Sequence, residues 1–458
     1  MKRLDLVTIG RASVDLYGDQ IGGRLGDMGS FAKYVGGSPS NIACGTARLG
    51  LRSALIKGVG DEHMGRFIVE QLCREGVDTR GVKTDPERLT ALAVLGIRDD
   101  LHFPLIFYRE NCADMGLTPA DIDEGLISDA RSVLATGTHL MQPDTQPAVL
   151  HALSLAKKHG ALCVLVVDYR PNLWGVAVHG DGESRFVQSA QLGNQLQGLL
   201  HHFDLIVGTE EEFHIAGGST DTLTAIKAVR SASNATLVCK RGADGAVVFE
   251  GAIPDTLEGG QTGPGFPIEV FNVLGAGDGF MSGLLRGWLT QEDWPTCLKL
   301  ANACGALAVS RHGCTSAYPS LQELDYFLER GVTRPDLRND TALEQVHWSS
   351  NRHREHGGDF SQVRIFAFDH RKQLEDMDGS TPDKIAQFKL LCLQAAIDVQ
   401  SGRSGYGILC YNRLGKAALH AASGTGLWVG RPTEWSGSRP LSLEPELGPD
   451  IGGLANWP

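Results

Sequence analysis

Apolar residues recur along the chain in two alternating rhythms. Short β-rich runs at Leu4–Ile9, Ser53–Ile56, Val133–Thr136, Leu162–Val167, Leu205–Val207, Leu237–Cys239 and Ala246–Phe249 are bounded by Gly, Asp or other polar residues and predict strands. Between them, Asn41–Leu49, Arg66–Glu75, Pro147–His159 and Asp221–Ser231 place apolar residues at helical spacing, with Gly76-Val77-Asp78-Thr79 as the exit of the second. Repeated β-α-β alternation predicts an α/β fold, a mainly parallel sheet with helices on both faces. Tyr17–Val35 and Leu89–Tyr108 break the rhythm and read as hairpins, so a small antiparallel subsheet is expected apart from the main one.

The pattern changes near residue 330. Leu321–Glu329 reads as a last helix, after which 331–360 has the composition of a linker, with Pro335 and a run of His, Arg, Ser and Gly. Strands are expected again at Val363–Phe368, Gly407–Cys410 and Leu427–Val429, with a long helix over Asp383–Val399. The expected organisation is therefore a domain over 1–330, a linker over 331–360 and a second segment over 361–458.

A length of 458 residues suits two or three domains, and 42% apolar with 21% charged residues is an ordinary globular balance. The longest apolar run, Ala161–Val167, is far short of the ~20 residues of a membrane helix. MKRLDLVTIG is not followed by the apolar core of a signal peptide, so a soluble, unprocessed, cytoplasmic chain is expected, with no membrane partner. Ten cysteines without a C-x-x-C pair read as small apolar residues of a reducing compartment. Residues 331–458 hold 14 Lys and Arg against 15 Asp and Glu, so 1–330 carries −11 of the net −12. Such an acidic body is a poor match for nucleic acid, and an anionic substrate must be held by a few local cations or backbone N–H groups.

The richest segment is Ile268–Leu289. An apolar run expected to be a strand enters Gly275-Ala276-Gly277-Asp278, and a helix follows at once. Small residues let a ligand approach the backbone, and the free N–H groups of a helix start attract an anion. A carboxylate in the first turn is then held beside that anion. The combination suits phosphoryl transfer, with N–H groups stabilising developing charge and Asp278 taking a hydroxyl proton. A plain tight turn, with Asp278 as a dipole-compatible helix residue, fits the same four residues. A dinucleotide turn fits less well, because Phe280 stands where a third Gly is needed, and no G-x-x-x-x-G-K-[ST] loop occurs.

Residues 1–330 resemble the PfkB (ribokinase-like) carbohydrate kinases. Gly10-x4-Asp15 is followed by Gly36-Gly37-Ser38-Pro39-Ser40-Asn41-Ile42-Ala43, then by Gly58-x-Gly60-Asp61-x3-Gly65, and the late GAGD turn completes the set in family order. The resemblance implies a ribokinase-like α/β/α sandwich with a small β lid, and ATP-dependent phosphorylation of a sugar hydroxyl. By the same resemblance, Asp278 is the catalytic base and Gly275, Ala276 and Gly277 the anion hole. Asp15, Gly37 and Asn41 are the sugar ligands; for Asn41 a helix N-cap is the alternative. Lys240, Gly242, Gly245 and Asn302 belong to the nucleotide side. Glu212, in Thr209-Glu210-Glu211-Glu212, takes a Mg2+-linked role through water, a solvated helix face being the alternative. Two departures stand out: Asn272-Val273 replaces the family's Asp-Thr, and Thr209 replaces its Asn. ATP and Mg2+ are implied, a monovalent cation is compatible, and a homodimer through the lid is a further expectation.

Phe107-Tyr108-Arg109 and Asp168-Tyr169-Arg170-Pro171-Asn172-Leu173-Trp174 resemble the sugar-acid members of the family, in which tyrosine and arginine meet an open-chain acid. Tyr108, Arg109 and Arg170 are accordingly expected at the substrate, since Arg pairs well with carboxylate; pairing of Arg170 with a neighbouring Glu is the alternative. The wording of FNVLGAGDGFMSGLLRGWL, FYRENCADM and GTEEEF is closest to the 5-dehydro-2-deoxygluconokinase branch, with 2-keto-3-deoxygluconokinase, fructokinase or a non-catalytic sugar- or nucleotide-binding protein as other readings. Phe366–Arg371, Gly405–Leu409 and Trp428–Pro432 resemble the start of an aldolase-like domain fused to that branch, which implies an incomplete (β/α)-barrel-like segment. About 110 residues cannot close a barrel of ~250. Asp369 and His370 follow its first strand, with helix capping by Asp369 the equal alternative. A chain ending near Arg330 is expected to keep kinase activity.

Overall fold

The first unit carries thirteen strands among its described residues. In chain order they are β1 (Leu4–Ile9), β2 (Ser13–Gly18), β3 (Phe31–Gly36), β4 (Ser53–Gly60), β5 (Val82–Asp85), β6 (Leu92–Leu95), β7 (Leu105–Tyr108), β8 (Ala130–Thr136), β9 (Leu162–Val166), β10 (Leu205–Thr209), β11 (Thr236–Lys240), β12 (Ala246–Phe249) and β13 (Gln261–Gly263). They belong to a computed structural model that describes residues 2–99, 102–177, 186–355, 362–422, 425–435 and 437–444. The chain divides into two units, Met1–Asn351 and Arg352–Pro458.

Nine strands form one sheet in the order β13-β12-β11-β10-β9-β8-β1-β4-β5. The run from β11 to β5 is parallel, and β12 and β13 are added antiparallel at one edge. The central strands are apolar on both faces because helices cover both. Val133, Ala135, Cys163 and Leu165 join one core with Ala152 and Leu153 of the Gln146–Lys158 helix. The alternate residues Leu134, Val164 and Val166 join another core with Met281, Leu284 and Leu298 of the Ala276–Leu289 and Trp294–Val309 helices. From β1 the chain runs outward to β4 on one side and to β8 on the other. The resulting crevice, beyond the carboxyl ends of β1 and β8, is where open α/β sheets bind ligands.

The lid is a separate sheet of order β3-β2-β6-β7. Its two hairpins are antiparallel, but β2 and β6 pair in parallel, so the lid is mixed. Between the hairpins the chain returns through β4 and β5 of the main sheet, and such a crossover brings the second hairpin in along the direction of β2.

Two segments differ from the sequence expectation. Ile268–Phe271 is not a strand. Its backbone is satisfied elsewhere: Glu269 N donates to Pro335 O, and Phe271 N and Asn272 N both donate to Val309 O. The stretch read as a linker instead carries the helix Thr341–Glu355 and belongs to the first unit as far as Asn351. Leu337 and Leu343 are buried against Leu307, Leu324 and Phe327. Its polar residues are used internally: Arg311 Nε donates to Glu344 Oε1 at 2.8 Å, and His347 Nδ1 lies 2.7 Å from Glu323 Oε2. Residues 356–360 of that stretch lie outside the described residues.

The second unit has three parallel strands, β14 (Arg364–Ala367), β15 (Tyr406–Leu409) and β16 (Trp428–Gly430), in that spatial order. The Pro382–Gln400 and Lys416–Ala421 helices connect them, and Phe368, Leu393, Ile408 and Leu419 form the core. All ten cysteines are free and nine are buried, in keeping with an apolar role. No helix among the described residues is long and apolar enough to cross a membrane.

Candidate active site

The chain enters the Ala276–Leu289 helix through Gly275 at φ +81°. A Cβ there would sit 2.9 Å from both Cys314 Sγ and Tyr318 Oη, so space and conformation both call for glycine. The first-turn N–H groups of Gly277 and Asp278 have no intrahelical acceptor. Asp278 lies in that turn, and its carboxylate is held from both sides. Ser38 Oγ donates to Oδ1 at 2.6 Å, and Asn41 Nδ2 donates to Oδ2 at 2.9 Å.

Both donors come from the Ser38–Arg48 helix, whose N-cap is Gly37 at φ +93°. A Cβ on Gly37 would lie 2.6 Å from Arg11 O, so this turn packs tightly on the segment between β1 and β2. Asn41 is therefore inside the helix, not its cap, and its Oδ1 is buried without a protein partner. That free oxygen is available to a ligand hydroxyl. Sequence reading passed over Ser38 as a partner of Asp278, although it stands within the Gly36–Ala43 motif.

Asp15 on β2 accepts from Ser13 Oγ at 2.7 Å. Burial pushes its carboxyl up to about 6, although Arg11 and Ser13 pull the other way, and Asp278 adds to the rise. Asp168, just past β9, has φ +43° and accepts from Thr138 Oγ1 at 2.9 Å. Burial raises it too, against the pull of Arg170 and Arg11. A non-glycine residue in this conformation costs of order 1 kcal/mol and points to a functional position.

The three expected acid-binding residues fare differently. Arg109 is closed on a carboxylate of the protein itself, with Nε 2.7 Å from Asp114 Oδ2, and both groups are buried. Tyr108 is 57% exposed, whereas Phe107 and Arg109 are buried. Strand alternation therefore turns Tyr108 to the outer face of the lid, away from its two neighbours. Arg170 lies within electrostatic reach of Asp168 and Glu212.

On the other side of the turn, Glu212 and Thr209 form a reciprocal cap. Thr209 N donates to Glu212 Oε2 at 2.7 Å, and Glu212 N donates to Thr209 Oγ1 at 3.2 Å. Threonine in place of the family's asparagine thus keeps this helix start in order. Glu212 Oε1 accepts from Tyr169 N at 3.1 Å. Burial opposes its charge, but Lys240, the two backbone donors and Arg170 prevail and hold it below the usual carboxylate range. Lys240 Nζ is 3.6 Å from Glu212 Oε2 and 3.2 Å from where a Cβ on Gly277 would stand. Lys240 therefore borders the start of the Ala276–Leu289 helix.

Gly242 and Gly245 take φ +57° and +87° in the turn between β11 and β12. A Cβ on Gly245 would meet Gly263 O at 2.0 Å. Asn302 Nδ2 donates to Gly263 O and Pro264 O, both at 3.0 Å, and so ties the Trp294–Val309 helix to the loop after β13. Asn272 spends its Oδ1 on Leu274 N and supports the turn as a neutral group. No group of three or more His, Cys, Asp or Glu suited to a metal occurs among the described residues.

A base beside open N–H groups and a lysine, facing a crevice with an aspartate and an asparagine, can activate a hydroxyl toward a phosphoryl group. Comparison with known proteins agrees. Residues 3–321 match the model of the pfkB family carbohydrate kinases, and 323–458 match that of an uncharacterized protein conserved in bacteria (DUF2090). A 5-dehydro-2-deoxygluconokinase of Geobacillus kaustophilus is 33% identical over 337 residues, covering 72% of this chain and 95% of the relative. One of Listeria monocytogenes is 33% identical over 330 residues, covering 70% and 95%. Among solved structures, a PfkB protein from Polaromonas sp. JS666 aligns with TM-score 0.59 and 28% identity, over 70% of this chain and 99% of that one. A fructokinase from Vibrio cholerae, bound to fructose, ADP and calcium ion, aligns with TM-score 0.59 and 27% identity, over 71% and 99%. With the fold, the ordered motifs and the held Asp278 pointing the same way, the chain belongs to the pfkB family of carbohydrate kinases.

Proposed function

We propose that the protein transfers the γ-phosphoryl group of ATP to a hydroxyl of a sugar acid, with 5-dehydro-2-deoxy-D-gluconate going to its 6-phosphate. The observation that carries the reaction type is the Asp278 carboxylate, gripped by Ser38 and Asn41 at the start of the Ala276–Leu289 helix. The substrate class is supported by the names of the relatives and by Arg11 and Arg170 beside Asp168 in an otherwise acidic body.

The substrate hydroxyl oxygen attacks the γ-phosphorus, its proton goes to Asp278, and the bond to the ADP oxygen breaks. The N–H groups of Gly277 and Asp278, with Lys240 beside them, hold the charge that develops on the phosphoryl oxygens. Asp15 and the free Oδ1 of Asn41 accept from substrate hydroxyls and set the attacking one against the base. Mg2+, when bound with ATP, neutralises phosphate charge, and Glu212 would hold it through water.

In the second unit, three parallel strands joined by helices support an aldolase-like (β/α) beginning without a closed barrel. The test of the main reading is ADP release with ATP and each of 5-dehydro-2-deoxy-D-gluconate, 2-keto-3-deoxygluconate, fructose and ribose. Highest kcat/KM is expected with the first. Fructose or ribose leading the panel would overturn the substrate, and ATP turnover indifferent to every sugar would overturn the kinase reading.

A further inference from the structure

Four arginines are buried in the first unit among the described residues: Arg11, Arg48, Arg109 and Arg311. Three of them pair with a carboxylate of the protein: Arg48 with Glu75 at 2.8 Å, Arg109 with Asp114 at 2.7 Å, and Arg311 with Glu323 at 2.6 Å. Arg11 is 8% exposed and forms no such pair among the described residues. Its Nη1 lies 3.3 Å from Ser13 Oγ, and its Nε is buried with no hydrogen-bond partner. A buried guanidinium with an unused N–H donor and no close ion pair is costly, and a ligand anion on that donor would relieve the cost.

Its position says where that charge would come from. Arg11 follows β1 by two residues, at the crevice where the strand order reverses. Ser13 links it to Asp15, one of the proposed sugar ligands. Its guanidinium lies 5.0 Å from the centroid of the Phe107 ring, which leaves in-plane donors for a second, flat group. Asp15, Asp114 and Asp168 lie within electrostatic reach of Arg11, but none forms an ion pair with it among the described residues: Asp114 pairs with Arg109, and Asp168 and Asp15 accept from the hydroxyls of Thr138 and Ser13. Lys57 adds a second buried amine without a hydrogen-bond partner in the same electrostatic neighbourhood.

We infer that Arg11 is the anchor for the substrate carboxylate, received on its free in-plane N–H donors beside Phe107, while Arg109 is a positioning residue held by Asp114. The inference rests on the sugar-acid reading above. It assigns the two ends of an open-chain hexonate to two places, the reacting hydroxyl at Asp278 and the carboxylate at Arg11.

The test uses the full chain as wild type, Arg11→Gln, Arg11→Lys and Arg109→Gln. Each is assayed by ADP release with 5-dehydro-2-deoxy-D-gluconate and with its uncharged primary amide, and binding of a non-hydrolysable ATP analogue reports folding. Arg11→Gln is expected to raise KM for the acid about 100-fold more than KM for the amide. Arg11→Lys, which keeps charge but loses the fork, is expected to raise it about 10-fold more. Arg109→Gln is expected to affect acid and amide alike. Equal effects of Arg11→Gln on both substrates, or selective loss in Arg109→Gln alone, would overturn the assignment. If Arg11→Gln fails to bind the ATP analogue, the Lys variant decides, and an unchanged acid-to-amide ratio in it would overturn the assignment. A wild type that phosphorylates a neutral sugar and no hexonate would overturn the substrate reading and this inference together. A wild type that uses the hexonate while the Arg11 variants stay unselective would overturn this inference alone.

Discussion

Replacing Asp278 with Asn isolates proton acceptance from everything else the residue does. The carboxylate accepts one bond from Ser38 Oγ and one from Asn41 Nδ2. An amide in its place keeps one acceptor oxygen for either donor. The new NH2 group would face Asn41 Nδ2 or the Ser38 hydroxyl. The hydroxyl can rotate to accept, and Asn41 can turn its amide, because its Oδ1 has no protein partner to lose. Both interactions therefore survive, and the stability change is expected to stay within about 1 kcal/mol. Loss of the base is worth ~10²–10⁴ in kcat, or about 2.7–5.4 kcal/mol of barrier. The N–H groups of the turn are unaltered, so KM for ATP should move less than about threefold. Steady-state ADP release gives kcat and KM, and thermal unfolding reports on the fold. A variant within tenfold of wild-type kcat would refute proton transfer to Asp278. A fall in kcat accompanied by an equal loss of ATP affinity would show that the residue shapes the anion hole instead.

Three further outcomes are expected. The Asp15 carboxyl stands at about 6 in the fold against an ordinary 3.8, so in the free protein it takes up a proton as pH falls through about 6. Apparent affinity for the sugar should then drop by up to about tenfold between pH 7 and pH 5, and Asp15→Asn should flatten that profile; a profile unchanged in the variant would show that another group titrates. The same raised value means that Asp15 favours folding below its ordinary range and loses that contribution as pH rises through about 6. Asp15→Asn should accordingly raise the denaturation midpoint at pH 8 and lose that gain by pH 4. A chain ending at Asn351 should keep full kinase activity, whereas one ending at Arg330 exposes Leu307, Leu324 and Phe327 and removes Glu344 and His347 from the Arg311–Glu323 network. Disturbing such a buried network costs on the order of 3–5 kcal/mol, so the shorter chain should melt well below the longer one; equal melting temperatures would restore the boundary at 330.

What the sequence determined by itself is what short range and chemistry dictate. The main-sheet strands β1, β4 and β8 to β12 were legible because their local apolar runs are bounded by polar residues, whereas β5 went unread. The Gly275–Asp278 turn was legible because glycine readily takes the left-handed backbone found at this helix entry. The same local logic failed at Ile268–Phe271, whose apolar run finds its hydrogen bonds at Pro335 and Val309 instead of a sheet. It failed again at 331–355, where polar composition concealed partners such as Glu323 and Arg311, distant in sequence but adjacent in space.

The roles of individual arginines were decided only by the tertiary structure. Arg11 and Arg109 are alike as letters, yet Arg109 pairs with Asp114 while Arg11 keeps a buried Nε without a hydrogen-bond partner. Tyr108 could not be placed without the register of β7, which turns alternate residues outward. Ser38 became part of the site only when the Ser38–Arg48 and Ala276–Leu289 helices met, some 240 residues apart in the chain. Charge and hydrogen-bonding capacity are properties of a residue, but which of them remain unspent is a property of the fold.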